Sequence, residues 1–277
     1  MRFRSFLFTP ANRLDRLERA TSSEADVVIL DLEDGVPAVA RSAARGALQA
    51  AFETLPGSDA ALAIRVNPLT TADGFRDAAM LLELSNWPQL ICLPKVETAK
   101  EVEQFRNLAA SVGQDPWIMV TLESALALAD PLPILRGAGL KILAGYGSGD
   151  HTAETGAAMS RPGLSWGRGQ IINAAGAAGC PVIDGVCPTF NDDEALEAEA
   201  QLGRELGFSG KIAIHPKQVP IINAVFTPTE DEVDRARRMI AVSEATGGGA
   251  FAFEGKMVDG PVLDHARRVL AASGLGT

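Results

Sequence analysis

The amino-acid sequence predicts a single (β/α)₈ TIM barrel followed by a C-terminal lid segment, and three observations support this fold class. Eight short apolar runs alternate with helical segments along the chain. The runs are apolar almost throughout, which is typical of parallel strands covered on both faces. The length of 277 residues suits eight such units. A doubly wound sheet is the alternative, but no GxGxxG pattern follows the first run.

The elements can be assigned in chain order. The predicted strands are residues 5–8, 27–32, 61–66, 90–93, 117–122, 141–144, 181–183 and 211–214. The predicted helices are residues 12–20, 38–52, 75–84, 170–178, 192–206 and 229–244, with two more beginning near residues 98 and 124. The stretch Thr98-Ala-Lys-Glu101 has the capping-box pattern that begins a helix. We therefore expect one barrel domain over residues 1–245.

The remaining residues, 246–277, differ in character. Thr246-Gly-Gly-Gly249 is predicted to be a flexible hinge, because glycine-rich segments have little preferred conformation. An apolar stretch with single charges follows, and residues 263–273 are predicted to form a last helix. This arrangement is typical of a lid or an oligomerisation arm that packs on a neighbouring subunit. The alternative is a β-hairpin docked on its own barrel.

Composition excludes several classes of protein. A formal net charge of −10 makes the chain a poor nucleic-acid binder. Three separated histidines do not form a zinc site, and three cysteines without a CxxC spacing indicate reduced thiols. No apolar run approaches the length of a membrane span. The sequence therefore predicts a cytoplasmic protein without a membrane or nucleic-acid partner.

Charged or polar residues follow seven of the predicted strands. In chain order they are Asp31, Glu33, Asp34, Arg65, Lys95, Glu97, Glu123, Asp150, Asp184 and His215. In a TIM barrel the carboxyl ends of the strands form the face that carries the active site. The pattern therefore predicts a polar mouth on an apolar barrel.

The excess of carboxylates without a cluster of His or Cys favours a hard cation, Mg²⁺ or Mn²⁺. Glu123 and Asp150 are the predicted direct ligands, since each is the lone acid after an apolar strand. Asp31, Glu33 and Asp34 are expected to hold metal-bound water. The alternatives are a helix-capping role for Glu123 and a capped turn for Asp150. A metal facing Arg65 suits carbon–carbon cleavage of a 2-oxo acid derivative through an enolate.

A dozen short motifs, in order and over nearly the whole chain, resemble the citrate lyase β-subunit-like group of the HpcH/HpaI aldolase superfamily, which includes malyl-CoA and citramalyl-CoA lyases. Among them are Val28-Ile-Leu-Asp-Leu-Glu-Asp34, Ile64-Arg-Val-Asn-Pro68, Leu93-Pro-Lys-Val-Glu97, Glu123-Ser-Ala, Ile214-His-Pro216 and Gly255-Lys-Met-Val-Asp259. The resemblance implies a Mg²⁺-dependent lyase that cleaves or condenses a 3-hydroxyacyl-CoA thioester. The products would be an acyl-CoA and a 2-oxo acid such as glyoxylate or pyruvate.

The resemblance also implies roles for individual residues. Glu123 and Asp150 would bind the metal, and Arg65 would polarise the thioester carbonyl. Asp259 would be the base and would come from the lid of a neighbouring subunit, since members are commonly homotrimers. Glu33 and Asp34 would support catalysis beside them. The candidates for the CoA side are Arg4, Arg41, Arg45 and Lys95.

Two other activities remain open at this stage. One is that of a citrate lyase β subunit acting on a citryl thioester held by a carrier protein, and the other is a CoA-independent 2-oxo-acid aldolase. The same metal site could also hydrolyse malyl-CoA. The chain departs from the family pattern at Gly176, where arginine is common, and after Asp150, where His151-Thr-Ala-Glu154 is unusually polar. These departures concern the choice of substrate rather than the metal pair.

Overall fold

A computed structural model describes residues 3–54, 59–189, 191–247 and 249–273. The predicted hinge residue Gly248 and residues 274–277 of the predicted lid segment lie outside these ranges. The chain divides into two compact units, one over residues 3–223 and one from residue 224 onward. This division lies earlier than the domain boundary that the sequence suggests, and it places the helix at residues 229–244 in the second unit.

The first unit is a closed barrel of eight parallel strands in sequential order. The strands are β1 (Ser5–Pro10), β2 (Val27–Asp31), β3 (Ala61–Arg65), β4 (Leu90–Leu93), β5 (Trp117–Leu122), β6 (Ile142–Tyr146), β7 (Val182–Asp184) and β8 (Gly210–Ala213). β1 pairs with β8 through the register Ser5↔Lys211, which closes the barrel. The predicted fold class is therefore confirmed, and each predicted strand overlaps an observed one.

Helices follow the strands on the outside of the barrel. They are α1 (Leu17–Thr21), α2 (Arg41–Thr54), α3 (Ala72–Leu82), α4 (Ala99–Ser111), α5 (Ala125–Ala129), α6 (Pro131–Gly137), α7 (Ser148–Thr155), α8 (Arg161–Ala178), α9 (Asp193–Leu206) and α10 (Gln218–Phe226). The capping box of Thr98 and Glu101 is present at the start of α4. Helices α6, α7 and α10 were not predicted from the sequence. Helix α8 begins nine residues before its predicted start, and the Ser160 side chain caps it by accepting a hydrogen bond from Gly163 N.

The interior of the barrel is apolar below its mouth. All eight strands contribute to one buried cluster, which consists of Phe6, Val27, Ile29, Ala63, Leu90, Cys92, Met119, Leu143, Ile183 and Ile212. Side chains along a strand alternate between the two faces, so a residue two positions beyond a member of this cluster also faces inward. Asp31 follows Ile29 by two positions and Arg65 follows Ala63 by two. Both side chains therefore belong to the inner face at the barrel mouth.

The second unit contains α11 (Glu230–Ala245), β9 (Phe251–Phe253), β10 (Lys256–Val258) and α12 (Gly260–Ser273). The two strands form an antiparallel hairpin. Its turn residues, Glu254 and Gly255, have φ angles of 49° and 74°, the left-handed geometry that two-residue hairpin turns favour. The apolar core of this unit is made of Val233, Ala236, Met239, Phe253, Val258, Leu263, Ala266 and Leu270. The role of residues 246–277 as a lid remains a prediction.

Two further expectations can be compared with the described residues. None of their helices is long and apolar enough to cross a membrane. All three cysteines fall within the described ranges and are free thiols, as the spacing predicts; Cys92 and Cys187 are buried and Cys180 is half-buried.

Candidate active site

The carboxyl ends of strands β2 to β6 bring charged side chains together at one end of the barrel. They are Asp31, Glu33, Arg65, Lys95, Glu123 and Asp150. Ion pairs and hydrogen bonds join them into one connected network. The residues that the sequence places at five successive strand ends therefore do form a common site.

Arg65 is held in one orientation at the end of β3. Its Nε donates to Asp31 Oδ1 at 2.6 Å and its Nη2 donates to Asp31 Oδ2 at 2.7 Å. Its guanidinium also lies 4.7 Å from the centre of the Phe8 ring. Burial lowers the pKa of Arg65, but the hydrogen bonds and charge of Asp31 outweigh burial and raise the pKa above its ordinary value. Arg65 is therefore a fixed positive charge at the mouth.

Asp31 is fully engaged in orienting this arginine. Besides the two bonds from Arg65, it accepts hydrogen bonds from Glu33 N at 2.9 Å and from Gly35 N at 2.8 Å. A Cβ at position 35 would overlap Asp31 Oδ2, so this turn requires glycine. A carboxylate offers about four acceptor sites, and all four are used here. Asp31 is thus a positioning group rather than a metal ligand.

Glu33 is a buried carboxylate between two cations, with only 2% of its surface exposed. Lys95 Nζ donates to its Oε1 at 2.7 Å. Arg65 Nη1 lies 2.9 Å from Oε2, but the two atoms are not aligned for a hydrogen bond. Burial raises the pKa of Glu33, and the two cations oppose this effect without cancelling it. The next residue, Asp34, is exposed and its Oδ2 is 3.8 Å from Lys95 Nζ.

Lys95 connects the carboxylates of different strands. Its φ angle is 52°, in the left-handed region that residues other than glycine seldom adopt. In this conformation its backbone N donates to Glu123 Oε1 at 2.6 Å. Burial lowers the pKa of Lys95, but the hydrogen bond and charge of Glu33 raise it above the ordinary value. Lys95 was predicted for the CoA side, and its bond to Glu123 is a further contact that no sequence pattern indicates.

The buried Glu123 carboxylate lies near the negative charges of Glu33 and Asp150. It is 3% exposed, and burial, followed by the charges of Glu33 and Asp150, raises its pKa to about 8. Its hydrogen bond comes from a backbone amide rather than from a cation. Gly147, which follows β6, packs against the other side of the carboxylate, and a Cβ at this position would overlap Glu123 Oε2. The side chain is therefore confined on two sides.

Asp150 is carried by the first turn of α7, a helix that begins directly after β6. Its side chain is 43% exposed, and its Oδ1 lies 3.7 Å from Lys95 Nζ. The sequence pattern predicts a tight turn here. The stretch instead begins a helix, and Asp150 lies in its first turn.

The residues at the mouth fit a hard divalent cation. Glu123 and Asp150 supply oxygen donors only, and a cation bound to Glu123 would relieve the crowding that raises its pKa. Within the described ranges, no group of three His, Cys, Asp or Glu side chains is arranged to hold a metal ion without help. Mg²⁺ commonly uses one or two carboxylates and completes its shell with water or substrate oxygens. The predicted pair is compatible with that mode of binding.

Two of the cations proposed for CoA are paired with carboxylates of α3. Arg45 Nη1 donates to the fully buried Asp77 at 2.8 Å, and Arg41 Nη1 donates to Asp73 at 3.0 Å. Arg45 is 12% exposed and Arg41 is 21% exposed. Arg45 therefore joins α2 to α3, while Arg41 keeps more contact with solvent.

Arg4 lies at the other end of the barrel. It immediately precedes β1, and its Nη2 donates to Asp26 Oδ1 at 2.7 Å. Asp26 precedes β2, and the amino ends of parallel strands lie opposite the mouth. The structure therefore does not bring Arg4 together with the other predicted site residues.

The expectation that Asp184 lines the mouth is wrong. Ile183 belongs to the barrel interior, so the next side chain along β7 faces outward. There Asp184 accepts hydrogen bonds from Arg168 Nε at 3.0 Å and from Lys211 Nζ at 2.7 Å, and all three residues are buried. The signal that identifies this ion cluster is strand alternation, because Asp184 is adjacent to the inward-facing Ile183 and Lys211 is adjacent to the inward-facing Ile212.

Asp259 belongs to the second compact unit, between β10 and α12. It is half-buried, and its carbonyl oxygen accepts a hydrogen bond from Leu263 N at 3.1 Å. Its participation in the site of a neighbouring subunit remains a prediction.

Comparisons with known protein families agree with this architecture. Residues 4–216 match the family model described as HpcH/HpaI aldolase/citrate lyase. Residues 169–274 match a model described as a C–C bond lyase of the TIM-barrel fold.

Individual relatives cover almost the whole chain. A citrate lyase subunit beta-like protein from Deinococcus radiodurans is 35% identical over 278 residues, covering 97% of this chain and 96% of the relative. A (3S)-malyl-CoA thioesterase from Cereibacter sphaeroides is 35% identical over 276 residues, covering 97% and 94%.

A solved structure is similar over the same extent. CitE from Mycobacterium tuberculosis, in complex with magnesium, acetoacetate and coenzyme A, has a TM-score of 0.80 and 33% identity, and the match covers 99% of this chain and 98% of that one.

Proposed function

This chain belongs to the HpcH/HpaI aldolase/citrate lyase family, and we propose that it is a Mg²⁺-dependent carbon–carbon lyase acting on a 3-hydroxyacyl-CoA thioester such as malyl-CoA or citramalyl-CoA. The products are an acyl-CoA and a 2-oxo acid of the glyoxylate or pyruvate class. One observation carries the proposal: the mouth places the carboxylates of Glu123 and Asp150 in one network with the fixed positive charge of Arg65.

Glu123 and Asp150 would hold the metal ion. When bound, the metal would supply positive charge for the substrate hydroxyl oxygen as it loses its proton, before that oxygen becomes the carbonyl of the 2-oxo acid. Glu123 is prepared for this task because Lys95 N and Gly147 fix its position, and the charge of Glu33 keeps the surroundings negative. The similar CitE structure, which contains magnesium, acetoacetate and coenzyme A, supports magnesium as the metal by analogy.

Arg65 would stabilise the thioester carbonyl oxygen as it gains negative charge. Its orientation is set before substrate arrives, because Asp31 holds two of its nitrogens and Phe8 lies against its face. A preorganised cation stabilises a transition state without further rearrangement. Its raised pKa keeps it charged at every working pH.

The CoA moiety would bind beside the mouth near Arg41 and Lys95, the more exposed of the proposed cations. Arg45 would not contact CoA directly. It would hold α2 and α3 together beside the bound CoA. Asp259 from a neighbouring subunit would take a proton from the acyl group in the condensation direction. Such a shared site requires an oligomer, and a homotrimer is the assembly that we propose. Hydrolysis of the thioester at the same site is the second candidate activity, favoured by the similarity to (3S)-malyl-CoA thioesterases.

A thermal shift experiment tests whether the substrate is a CoA thioester. We expect acetyl-CoA at saturating concentration with Mg²⁺ to raise Tm by about 3 °C or more, because a ligand that binds only the native state stabilises it. Pyruvate with Mg²⁺ should also raise Tm.

Glu123→Gln and Asp150→Asn should remove lyase activity on malyl-CoA and citramalyl-CoA while the circular dichroism spectrum stays unchanged.

Other results would redirect the assignment. A response to pyruvate and Mg²⁺ without any response to acetyl-CoA would favour the CoA-independent aldolase. Activity only on a citryl thioester bound to a carrier protein would favour the citrate lyase β subunit. Full activity in either carboxylate variant would show that the metal pair is wrong.

A further inference from the structure

The half-buried Lys95 side chain lies among three carboxylates. Its Nζ lies 2.7 Å from Glu33 Oε1, 3.7 Å from Asp150 Oδ1 and 3.8 Å from Asp34 Oδ2. These carboxylates follow two different strands, β2 and β6. A single ammonium thus serves as a shared counter-charge for three acids.

The same residue also contacts the other proposed metal ligand. Its backbone N donates to Glu123 Oε1, while its ammonium lies at ion-pair distance from Asp150. The left-handed backbone of Lys95 allows the amide and the side chain to reach different carboxylates at once. No other described lysine or arginine has ion-pair contacts with Asp150.

The contacts of Lys95 are much looser than those of Arg65. Arg65 makes two short, parallel hydrogen bonds to one carboxylate and has 14% of its side chain exposed. Lys95 makes one short bond and two long contacts, and 39% of its side chain is exposed. Its four-carbon stem is flexible, so its ammonium can leave the carboxylates at small steric cost.

We propose that Lys95 is a tethered counter-cation of this site, which Mg²⁺ displaces from Asp150 when it binds. An ammonium and a divalent ion compete for the same carboxylate oxygen, and at equal distance the divalent ion attracts the carboxylate about twice as strongly. The displaced ammonium then stands at the mouth, available to an anionic group of the substrate. Loading of the metal and exposure of a substrate-binding cation are thereby coupled. This inference rests on the metal pair of the proposed function.

Reductive ¹³C-methylation of the metal-free protein, followed by NMR, tests the displacement directly. The chain has only six lysines, and dimethylation preserves the positive charge. Lys95→Arg assigns the Lys95 signal. Titration with Mg²⁺ alone should shift that signal, because the ammonium loses Asp150 as a neighbour while it keeps its bond to Glu33, and the exposed Lys100 signal should stay in place. A Lys95 signal that does not move although Mg²⁺ binds would overturn the proposal.

Mn²⁺ binding, followed by electron paramagnetic resonance, gives a second readout that requires no turnover. Lys95→Met should tighten Mn²⁺ binding about tenfold, because the competing charge is gone. Lys95→Gly, which suits the left-handed backbone, should do the same, and Lys100→Met should leave the affinity unchanged. Unchanged binding in both Lys95 variants would overturn the proposal, and weaker binding would show that Lys95 supports the metal rather than competing with it.

Glu123→Gln separates this inference from the proposed function. If Mn²⁺ binding survives in that variant, the metal pair itself is wrong and the inference fails with it. If binding is lost in Glu123→Gln but Lys95 does not respond in the wild-type protein, the metal pair stands and only the displacement fails.

Discussion

At the scale of single residues, the site depends on close approaches that only glycine permits. Gly147 has a φ angle of −83°, which any residue can adopt, so its backbone does not require glycine. Its requirement is steric, because a Cβ would overlap the Glu123 carboxylate. The same holds for Gly35 against Asp31. Two glycines thus position the carboxylates on which the proposed metal site and Arg65 depend.

Gly147→Ala tests this dependence. The new methyl group should push the Glu123 carboxylate out of place and weaken Mn²⁺ binding by about tenfold or more, since misplaced ligands commonly cost that much. Isothermal titration calorimetry would measure the affinity. Gly149→Ala is the matched control, because no atom lies near the position of its Cβ and the metal affinity should hold. Equal affinities in the two variants would contradict the steric role of Gly147.

At the scale of elements, helix α3 fixes the loops that carry the site. Asp77 accepts hydrogen bonds from Asn67 N at 2.7 Å and Asn67 Nδ2 at 2.8 Å, in addition to the Arg45 ion pair. Asn67 Nδ2 in turn donates to Leu32 O at 3.0 Å. The chain directly after β2 and β3 is therefore tied to the buried face of α3. These are the segments that position Glu33 and Arg65.

Asp77→Ala should destabilise the protein far more than Asp73→Ala. Loss of Asp77 leaves buried partners without a hydrogen bond, which costs about 3 kcal/mol of unfolding free energy. Asp73 pairs with Arg41, Arg45 and Arg76 nearer the surface, where solvent weakens ion pairs, so its loss should cost about 1 kcal/mol. Urea denaturation of the two variants would measure both values. Similar losses would mean that burial does not distinguish the two ion pairs.

The accuracy of the predicted elements also varies for physical reasons. Buried parallel strands have continuous apolar runs, so all eight were found. Helix α7 begins immediately after β6 and contains Ser148-Gly-Asp150, residues that also suit a turn. Helix α10 is apolar with Pro220 inside, and its proline obscured the helical pattern. Short helices with weak local preference form because the barrel gives them a surface to cover.

At the scale of the whole molecule, the two compact units carry different parts of the proposed chemistry. Glu123 and Asp150 belong to the barrel unit, whereas Asp259 belongs to the unit with its own apolar core. If Asp259 serves a neighbouring subunit, two different inactive variants can complement each other within one mixed trimer.

Co-expression of Glu123→Gln with Asp259→Ala tests this sharing. Each variant alone should be inactive in condensation of acetyl-CoA with glyoxylate. Random mixing in a trimer should restore about a quarter of the sites, because each site needs an intact Glu123 followed by an intact Asp259 on the next subunit. Light scattering should give a mass of three chains for the mixture. An inactive mixture of trimers would show that Asp259 does not act between subunits.

The sequence by itself determined the barrel, the end of the barrel that carries the charges, and the identity of the charged residues. A continuous apolar run predicts a parallel strand, and the residue that ends such a run lies on the same face of the barrel as the ends of the other strands. The barrel and its charged end can therefore be predicted from short stretches of sequence. Tertiary structure alone decided which charges meet. Asp31 turns inward and Asp184 outward, Arg4 lies at the far end, and a left-handed backbone lets Lys95 join Glu33 to Glu123. The face on which a side chain lies, the closure of the barrel and the backbone angle of Lys95 all depend on the packed barrel. Contacts between strands far apart in sequence determine all three.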